Sequence, residues 1–128
     1  MKTLIVEDDF LSRKLMLAYL SPLGECDIAA NGSEALEAFV MADNAGKHYD
    51  LITLDIMMPE MSGQEVLKHI RRIEEEHGLN AAKIIMTTAL KDSDNVMAAF
   101  KNQCDGYLGK PIDSEKLRAL LRELNFME

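Results

Sequence analysis

The chain alternates short, continuous apolar runs with segments in which apolar residues recur every three or four positions. Three runs are strongly apolar and cover residues 3–7, 51–55 and 83–87. Continuous apolar runs of this length are typical of parallel strands that are buried on both faces. Weaker strand candidates lie at residues 26–30 and 106–108. The sequence therefore predicts five strands.

Between these runs, the apolar residues have the period of amphipathic helices. The fifth such segment shows it clearly, because its leucines fall at i, i+3, i+4 and i+7: Leu117, Leu120, Leu121 and Leu124. Strand and helix thus alternate five times. This (βα)5 alternation, with right-handed crossovers, predicts an α/β fold in which a parallel five-stranded sheet is covered by helices on both sides. A single domain over residues 1–128 is expected.

The third helical segment has a defined start and an acidic end. Ser62 and Glu65 form a capping-box pair, in which each side chain can accept a hydrogen bond from a free backbone N–H of the first turn. Arg71 and Glu75 can pair at i, i+4. Residues 74–76 are therefore predicted to form a solvent-exposed face.

Composition and charge narrow the function classes. The 128 residues are 48% hydrophobic and 28% charged, which fits one globular domain rather than a disordered chain. The net charge of -8 argues against direct binding to nucleic acid, which requires a basic surface. No apolar run approaches the roughly 18 residues that span a bilayer, so membrane insertion is not expected. Cys26 and Cys104 are unclustered, which favours a reduced, cytoplasmic protein.

Residues that can carry chemistry stand where the predicted strands end. The first strand ends at Glu7-Asp8, the third ends at Asp55 and the fourth ends at Thr87-Thr88, while Lys110 follows the fifth. In a parallel α/β sheet, the carboxyl ends of the strands line the ligand-binding crevice. Three clustered carboxylates cannot all stay ionised unless a cation joins them. Mg²⁺ is the expected cation because it prefers oxygen ligands and keeps several waters, and a phosphoryl group can dock on it.

Taken singly, each of these positions also fits a structural role. The acids after the first strand suit a helix N-terminus, whose dipole favours negative charge. Asp55 suits a turn or a helix cap, and Thr88 suits a strand end. Lys110-Pro111 suits a loop. Only the combination of these residues at four strand ends, in this order, favours a functional site.

Together these motifs resemble the receiver domains of bacterial two-component response regulators, in particular the single-domain, chemotaxis-regulator-like members. The likeness covers nearly the whole chain. It rests on LIVEDD at 4–9, LDIMMP at 54–59 with Gly63, Thr88-Ala89, and DGY at 105–107 leading to Lys110-Pro111. The resemblance implies a flavodoxin-like three-layer sandwich with the strand order 2-1-3-4-5.

The resemblance also assigns roles to individual residues. Asp55 is expected to be the phosphoacceptor, which takes a phosphoryl group from a sensor histidine kinase or a histidine phosphotransfer protein. Asp8, Asp55 and the backbone carbonyl of Met57 would bind Mg²⁺, or Mn²⁺ in its place, and Glu7 would act through a bound water. Lys110 would offset charge on the phosphoryl oxygens. Asp9 is expected to be peripheral.

A conformational switch is implied as well. Thr88 is expected to turn its hydroxyl toward the new phosphate, and Tyr107 to swing into the vacated space. Thr87 is the alternative to Thr88, and plain core packing is the alternative for Tyr107. The Lys110-Pro111 bond is typically cis in such domains. The switch would act on a docking surface for a downstream protein, formed by the fourth helix, fifth strand and fifth helix.

Met57 and Leu90 depart from the pattern of the receiver domains. They lie two positions after Asp55 and Thr88, where polar residues help to orient the water that hydrolyses the aspartyl phosphate. Both are apolar here, so slow self-dephosphorylation is predicted. Met97, on the predicted fourth helix, is a candidate for an adaptable docking surface, although core filling is the simpler role for a methionine.

The expected function is phosphorelay signalling by a phosphoacceptor that assists its own phosphorylation but is not an enzyme. Because the sequence ends at Glu128, directly after the fifth helix, the chain is expected to act alone through protein contact, as a monomer or weak dimer. The alternatives are a receiver domain from a hybrid kinase or larger regulator, a phosphorylation-independent binding module, and an aspartyl-phosphate hydrolase. The hydrolase signature places a second Asp where Met57 stands. Nucleotide binding is not expected, because the sequence has neither a P-loop nor a GxGxxG motif.

Overall fold

A computed structural model describes residues 1–89 and 103–128. Five parallel strands form one sheet in the order β2-β1-β3-β4-β5. The strands are β1 (Lys2–Val6), β2 (Glu25–Ala29), β3 (Leu51–Asp55), β4 (Lys83–Ala89) and β5 (Gly106–Lys110). The described helices are α1 (Phe10–Leu20), a short 3-10 turn (Ser21–Leu23), α2 (Gly32–Asn44), α3 (Gly63–Glu76) and a C-terminal helix (Ser114–Glu123). The predicted α/β fold and strand order are confirmed.

Each face of the sheet has its own hydrophobic core, because successive strand residues point to opposite faces. On one face, Ile5 and Ile85 pack against side chains of α1 and the C-terminal helix. On the other face, Leu54 and Met86 pack against α2 and α3. Burying one such side chain completely stabilises the fold by roughly 1.5–3 kcal/mol. These two cores explain why the interior positions of the central strands carry only apolar residues and threonines.

The helices begin where short polar side chains satisfy the free N–H groups of the first turn. Ser62 accepts a hydrogen bond from the backbone N of Glu65, as the capping-box pattern predicted. Asp113 accepts hydrogen bonds from the backbone N of Glu115 and of Lys116 at the start of the C-terminal helix. Asp9 accepts a hydrogen bond from the backbone N of Ser12 and so caps α1. Asp9 therefore has a structural task beside the acidic cluster.

The prediction of a solvent-exposed acidic face at the end of α3 is wrong for Glu74. This side chain is buried, and its carboxylate lies 2.7 Å from a guanidinium nitrogen of Arg71. Its second oxygen accepts a hydrogen bond from the backbone N of Ala82, also at 2.7 Å. The turn that leads into β4 passes beneath the helix end, and its N–H needs an acceptor there. Arg71 thus pairs with Glu74 instead of Glu75.

Several element bounds also differ from the sequence prediction. The first strand ends at Val6, so Glu7 follows it, and the fifth strand continues to Lys110. Thr88 is the penultimate residue of β4, which continues to Ala89. The predicted fourth helix, with Leu90 and Met97, lies outside the described residues. Within the described ranges, the helices are too short or too polar to cross a bilayer.

Candidate phosphoacceptor and metal site

Three carboxylates meet at the carboxyl edge of the central strands. β1 and β3 are hydrogen-bonded neighbours, so the residues that end them lie side by side. One carboxylate oxygen from each of Glu7, Asp8 and Asp55 lies within 4.8 Å of the other two. Glu7 and Asp55 are only 5% and 2% exposed, whereas Asp8 faces solvent. The three acids at the predicted strand ends therefore lie close together in the fold.

The ammonium of Lys110 lies within this acidic cluster. Its Nζ is 2.5 Å from Oε1 of Glu7 and 3.3 Å from Oδ2 of Asp55. The end of β5 thus brings Lys110 into contact with both acids. Burial alone would lower the pKa of Lys110, but the two carboxylates outweigh it and raise the pKa above its ordinary value. Lys110 is followed by a cis bond to Pro111.

The surroundings of Asp55 make its carboxyl group costly to ionise. Burial, followed by its hydrogen bond and charge interaction with Glu7, raises the pKa of Asp55 to about 7. The positive charge of Lys110 opposes this shift and does not cancel it. One ammonium cannot balance three carboxylates, so a further cation is needed to keep Asp55 ionised at neutral pH.

The donor set fits a hard divalent cation. The three acids offer only oxygen ligands, which Mg²⁺ prefers, and the exposed position of Asp8 leaves room for bound waters. Oδ1 of Asp55 accepts a hydrogen bond from the backbone N of Met57 at 3.2 Å, so the chain folds back over the carboxylate. The Met57 carbonyl as a metal ligand stays a prediction. Asp8 and Asp55, with Glu7 beside them, are the residues that would hold the ion.

Thr88 and Tyr107 share the face of the sheet that Met86 occupies. Thr88 and Met86 are two residues apart in β4, and Tyr107 is the register partner of Met86 in β5. The Thr88 hydroxyl is buried and has no hydrogen-bond partner among the described residues. Thr87 is the register partner of Asp55 and points to the other face. The Tyr107 ring is 48% exposed, which argues against plain core packing.

Arg13, on the second turn of α1, escaped the sequence analysis. Its guanidinium donates hydrogen bonds to the backbone carbonyls of Glu7 and Asp8. No local pattern could have indicated these contacts, because an arginine at this helix position is equally consistent with a solvent-exposed side chain. The contacts become visible only when the start of the helix is placed against the acidic loop.

Comparisons with known proteins place this geometry in a family. The family model described as "Response regulator receiver domain" matches residues 3–122. The chain belongs to this family. The fold, the acidic cluster and the family together identify a receiver domain of phosphorelay signalling.

Two relatives contain a segment similar to this chain within a longer protein. Regulatory protein VanRB of Enterococcus faecalis is 36% identical over 124 residues, which are 96% of this chain and 50% of VanRB. Hybrid signal transduction histidine kinase L of Dictyostelium discoideum is 30% identical over 123 residues, which are 95% of this chain and 7% of the kinase. The receiver domain described here therefore spans only part of these curated relatives.

Solved receiver structures resemble the whole chain. The response regulator TrrA of Thermotoga maritima, solved in complex with Mg²⁺ and BeF, is 33% identical. The similarity covers 96% of this chain and 97% of TrrA, with a TM-score of 0.76. Chemotaxis protein CheY4 of Vibrio cholerae is 28% identical, with a TM-score of 0.74 over 95% of this chain and 96% of CheY4. The TrrA structure therefore holds Mg²⁺ and BeF together.

Proposed function

We propose that this receiver domain accepts a phosphoryl group on Asp55 in a magnesium-dependent reaction and thereby changes its protein-binding surface. The observation that carries the proposal is the convergence of Glu7, Asp8 and Asp55 on Lys110 at the carboxyl edge of the sheet. Glu7 and Asp55 both contact the ammonium, and of the three acids only Asp55 belongs to the central strand, which it ends. It is also buried, which favours transfer over attack by water.

The proposed reaction is a displacement at phosphorus. An oxygen of Asp55 attacks the phosphoryl group of a phosphohistidine, the new O–P bond forms, and the P–N bond breaks with its electron pair leaving on the histidine nitrogen. Lys110 stabilises the negative charge on the phosphoryl oxygens. Mg²⁺, or Mn²⁺ in its place, would offset the remaining charge when held by Asp8, Asp55 and the Met57 carbonyl, with Glu7 acting through water. The domain thus assists its own phosphorylation without turning over a separate substrate.

Thr88 and Tyr107 are the proposed switch. The Thr88 hydroxyl is buried without a partner among the described residues, so a phosphate oxygen on Asp55 would satisfy it. Tyr107 lies on the same face and is half-exposed, so an inward movement of its ring would change the exposed surface. Pro111, after Lys110, would hold the turn that aims the ammonium at the site. This arrangement links phosphorylation to the surface of β5.

The proposed partners are a sensor histidine kinase or histidine phosphotransfer protein upstream and a protein target downstream. The target would dock on the predicted fourth helix, β5 and the C-terminal helix. The domain is proposed to act in the cytoplasm, where its two free cysteines stay reduced, as a monomer or weak dimer. Because the relatives include regulators and hybrid kinases, a receiver domain within a longer protein is the second candidate.

Incubation with acetyl phosphate and Mg²⁺, followed by intact mass measurement, tests the proposal. The mass should increase by one phosphoryl group, and the increase should vanish in EDTA and in Asp55→Asn. Glu60→Gln is the matched control, because Glu60 is an exposed acid in the loop that follows β3. It should be labelled like the wild type. Labelling of Asp55→Asn at the wild-type level would refute the assignment of Asp55.

Met57→Asn is expected to shorten the lifetime of the phosphorylated state. Met57 is 68% exposed beside Asp55, so an amide at this position can orient the attacking water. One added hydrogen bond predicts loss of the phosphoryl group that is roughly 3- to 10-fold faster. The decay of the phosphorylated mass in Mg²⁺ buffer measures it, and adding Leu90→Glu should accelerate it further. Met41→Asn, at an equally exposed methionine on α2, should leave the decay unchanged. A wild-type half-life of only a few seconds would contradict the predicted slow hydrolysis.

A further inference from the structure

Arg13 binds three successive carbonyls of the loop that carries the acids. Its Nη1 lies 3.1 Å from the carbonyl oxygen of Glu7 and 3.3 Å from that of Asp8. Its backbone N donates to the carbonyl of Asp9 at 2.9 Å. Arg13 therefore donates hydrogen bonds to all three carbonyls of the turn between β1 and α1. The backbone N of Asp9 completes the turn by donating to Oε2 of Glu7 at 3.1 Å.

These contacts fix the direction of the Asp8 side chain. The carbonyl of Glu7 belongs to the peptide plane before the Cα of Asp8, and the carbonyl of Asp8 belongs to the plane after it. Because each peptide unit is planar, holding both oxygens restrains the rotation about both backbone bonds of Asp8. The direction of the Cα–Cβ bond of Asp8 is restrained accordingly. Packing cannot supply this restraint, because Asp8 is exposed.

We propose that Arg13 is a positioning residue of the metal site, which orients Asp8 toward the cation before the cation binds. This inference rests on the proposed magnesium site. Residues that orient metal ligands through hydrogen bonds typically change metal affinity by about 10- to 100-fold when they are replaced. Arg13 differs from the usual case because it acts through the backbone of the ligand and not through the carboxylate.

The direction in which Mg²⁺ affinity changes when Arg13 is replaced distinguishes a positioning role from a purely electrostatic one. Arg13 is a cation beside a cation site, so its charge alone repels Mg²⁺, and removing it should tighten binding. A positioning role requires the opposite result. Lys14 provides the matched control, since Arg13 and Lys14 both place their charge over the Phe10 ring, at 5.8 and 5.5 Å from its centroid. Of these two residues, only Arg13 contacts the acidic loop in the described part of the structure.

The experiment compares Arg13→Met with Lys14→Met, because methionine keeps an apolar stem and removes the donors in both. Mg²⁺ is titrated into the metal-free proteins by calorimetry, after circular dichroism has established that they are folded. The dissociation constant is expected to rise about 10-fold in Arg13→Met and to change less than about twofold in Lys14→Met. If Arg13→Met does not fold, Arg13→Gln replaces it, with the same direction expected.

A second measurement distinguishes weaker binding of Mg²⁺ from a lower rate of phosphorylation. Labelling by acetyl phosphate should need about 10-fold more Mg²⁺ for half-maximal rate in Arg13→Met, while the rate at saturating Mg²⁺ stays within about twofold of the wild type. Equal or tighter Mg²⁺ binding in Arg13→Met than in Lys14→Met would overturn the positioning role and leave the proposed function standing. A wild-type protein that binds no Mg²⁺ would overturn both.

Discussion

Replacing Asp55 with asparagine is expected to stabilise the metal-free protein at about pH 8 by about 2–4 kcal/mol, which is roughly 10 °C in the thermal midpoint. The reason is the cost of ionising a carboxyl that burial and Glu7 hold at a pKa of about 7. Asparagine has nearly the same shape and carries no charge. Glu7 remains as a partner for Lys110 in the variant, so the ammonium does not lose its only contact.

The stabilisation by Asp55→Asn should depend on pH. An unfolded aspartate ionises near pH 4, whereas Asp55 in the folded protein holds its proton to about pH 7. Below both values, neither state is charged and the carboxyl costs nothing. Between them, the unfolded state releases its proton first, so the wild type loses stability as the pH rises. The gain in Asp55→Asn should therefore fall to about half at about pH 5.5 and stay constant above about pH 8.

Thermal denaturation in EDTA across this pH range measures the effect. Glu60→Gln makes the same charge change on an exposed side chain and should alter stability by less than about 0.5 kcal/mol. Adding Mg²⁺ should stabilise the wild type and not Asp55→Asn, because the cation removes the cost of the charge. An Asp55→Asn protein that melts below the wild type at about pH 8 would show that Asp55 is not electrostatically strained.

The strand ends explain how much of this site the sequence could predict. The interior of a strand buried on both faces must be free of charge, so the point at which charge first appears after the apolar run marks the edge of the sheet. This rule located Glu7, Asp8 and Asp55 without any coordinates. The strand order came from the family resemblance, since hydrophobic patterns do not say which strands are neighbours.

Two features could not be predicted in this way because each depends on which distant polar group lies within reach of a side chain. Glu74 appeared to belong to an exposed acidic run, and its burial follows from the N–H of Ala82, eight residues away. The contact of Lys110 with Glu7 depends on the reach of a flexible four-carbon side chain, which strand periodicity does not determine. The pattern of apolar residues thus predicted which face of an element is buried and which residues lie at the strand ends. It did not predict the long-range polar contacts.

Replacing Gly63 with alanine is expected to destabilise the protein by about 3 kcal/mol or more. Alanine is the better helix former by about 1 kcal/mol, so the helix alone would favour the change. The lack of space beside Gly63 outweighs this preference for alanine. A Cβ on Gly63 would lie 2.2 Å from the carbonyl oxygen of Asp55 and 2.8 Å from the Cα of Ile56. Both are backbone atoms, which cannot rotate away as a side chain would.

The same substitution should disturb the phosphoacceptor site. Gly63 donates its backbone N–H to the carbonyl of Ile56 at 3.0 Å, so the start of α3 lies against the end of β3. Relieving the clash must shift the backbone that carries Asp55. We therefore expect Gly63→Ala to weaken Mg²⁺ binding by about 10-fold as well, since small displacements of ligands and their supports have effects of this size.

Urea denaturation and Mg²⁺ calorimetry on Gly63→Ala, with Gly46→Ala as the control, test both expectations. Gly46 has a φ of +68°, and no atom lies within 4 Å of its Cβ position, so alanine there meets backbone strain without a clash. It should cost about 1–2 kcal/mol. Because Gly46 follows α2, at the sheet edge opposite Asp55, its substitution should leave Mg²⁺ binding unchanged. If Gly63→Ala unfolds at the wild-type urea concentration, the close approach of α3 to β3 is not what holds Asp55 in place.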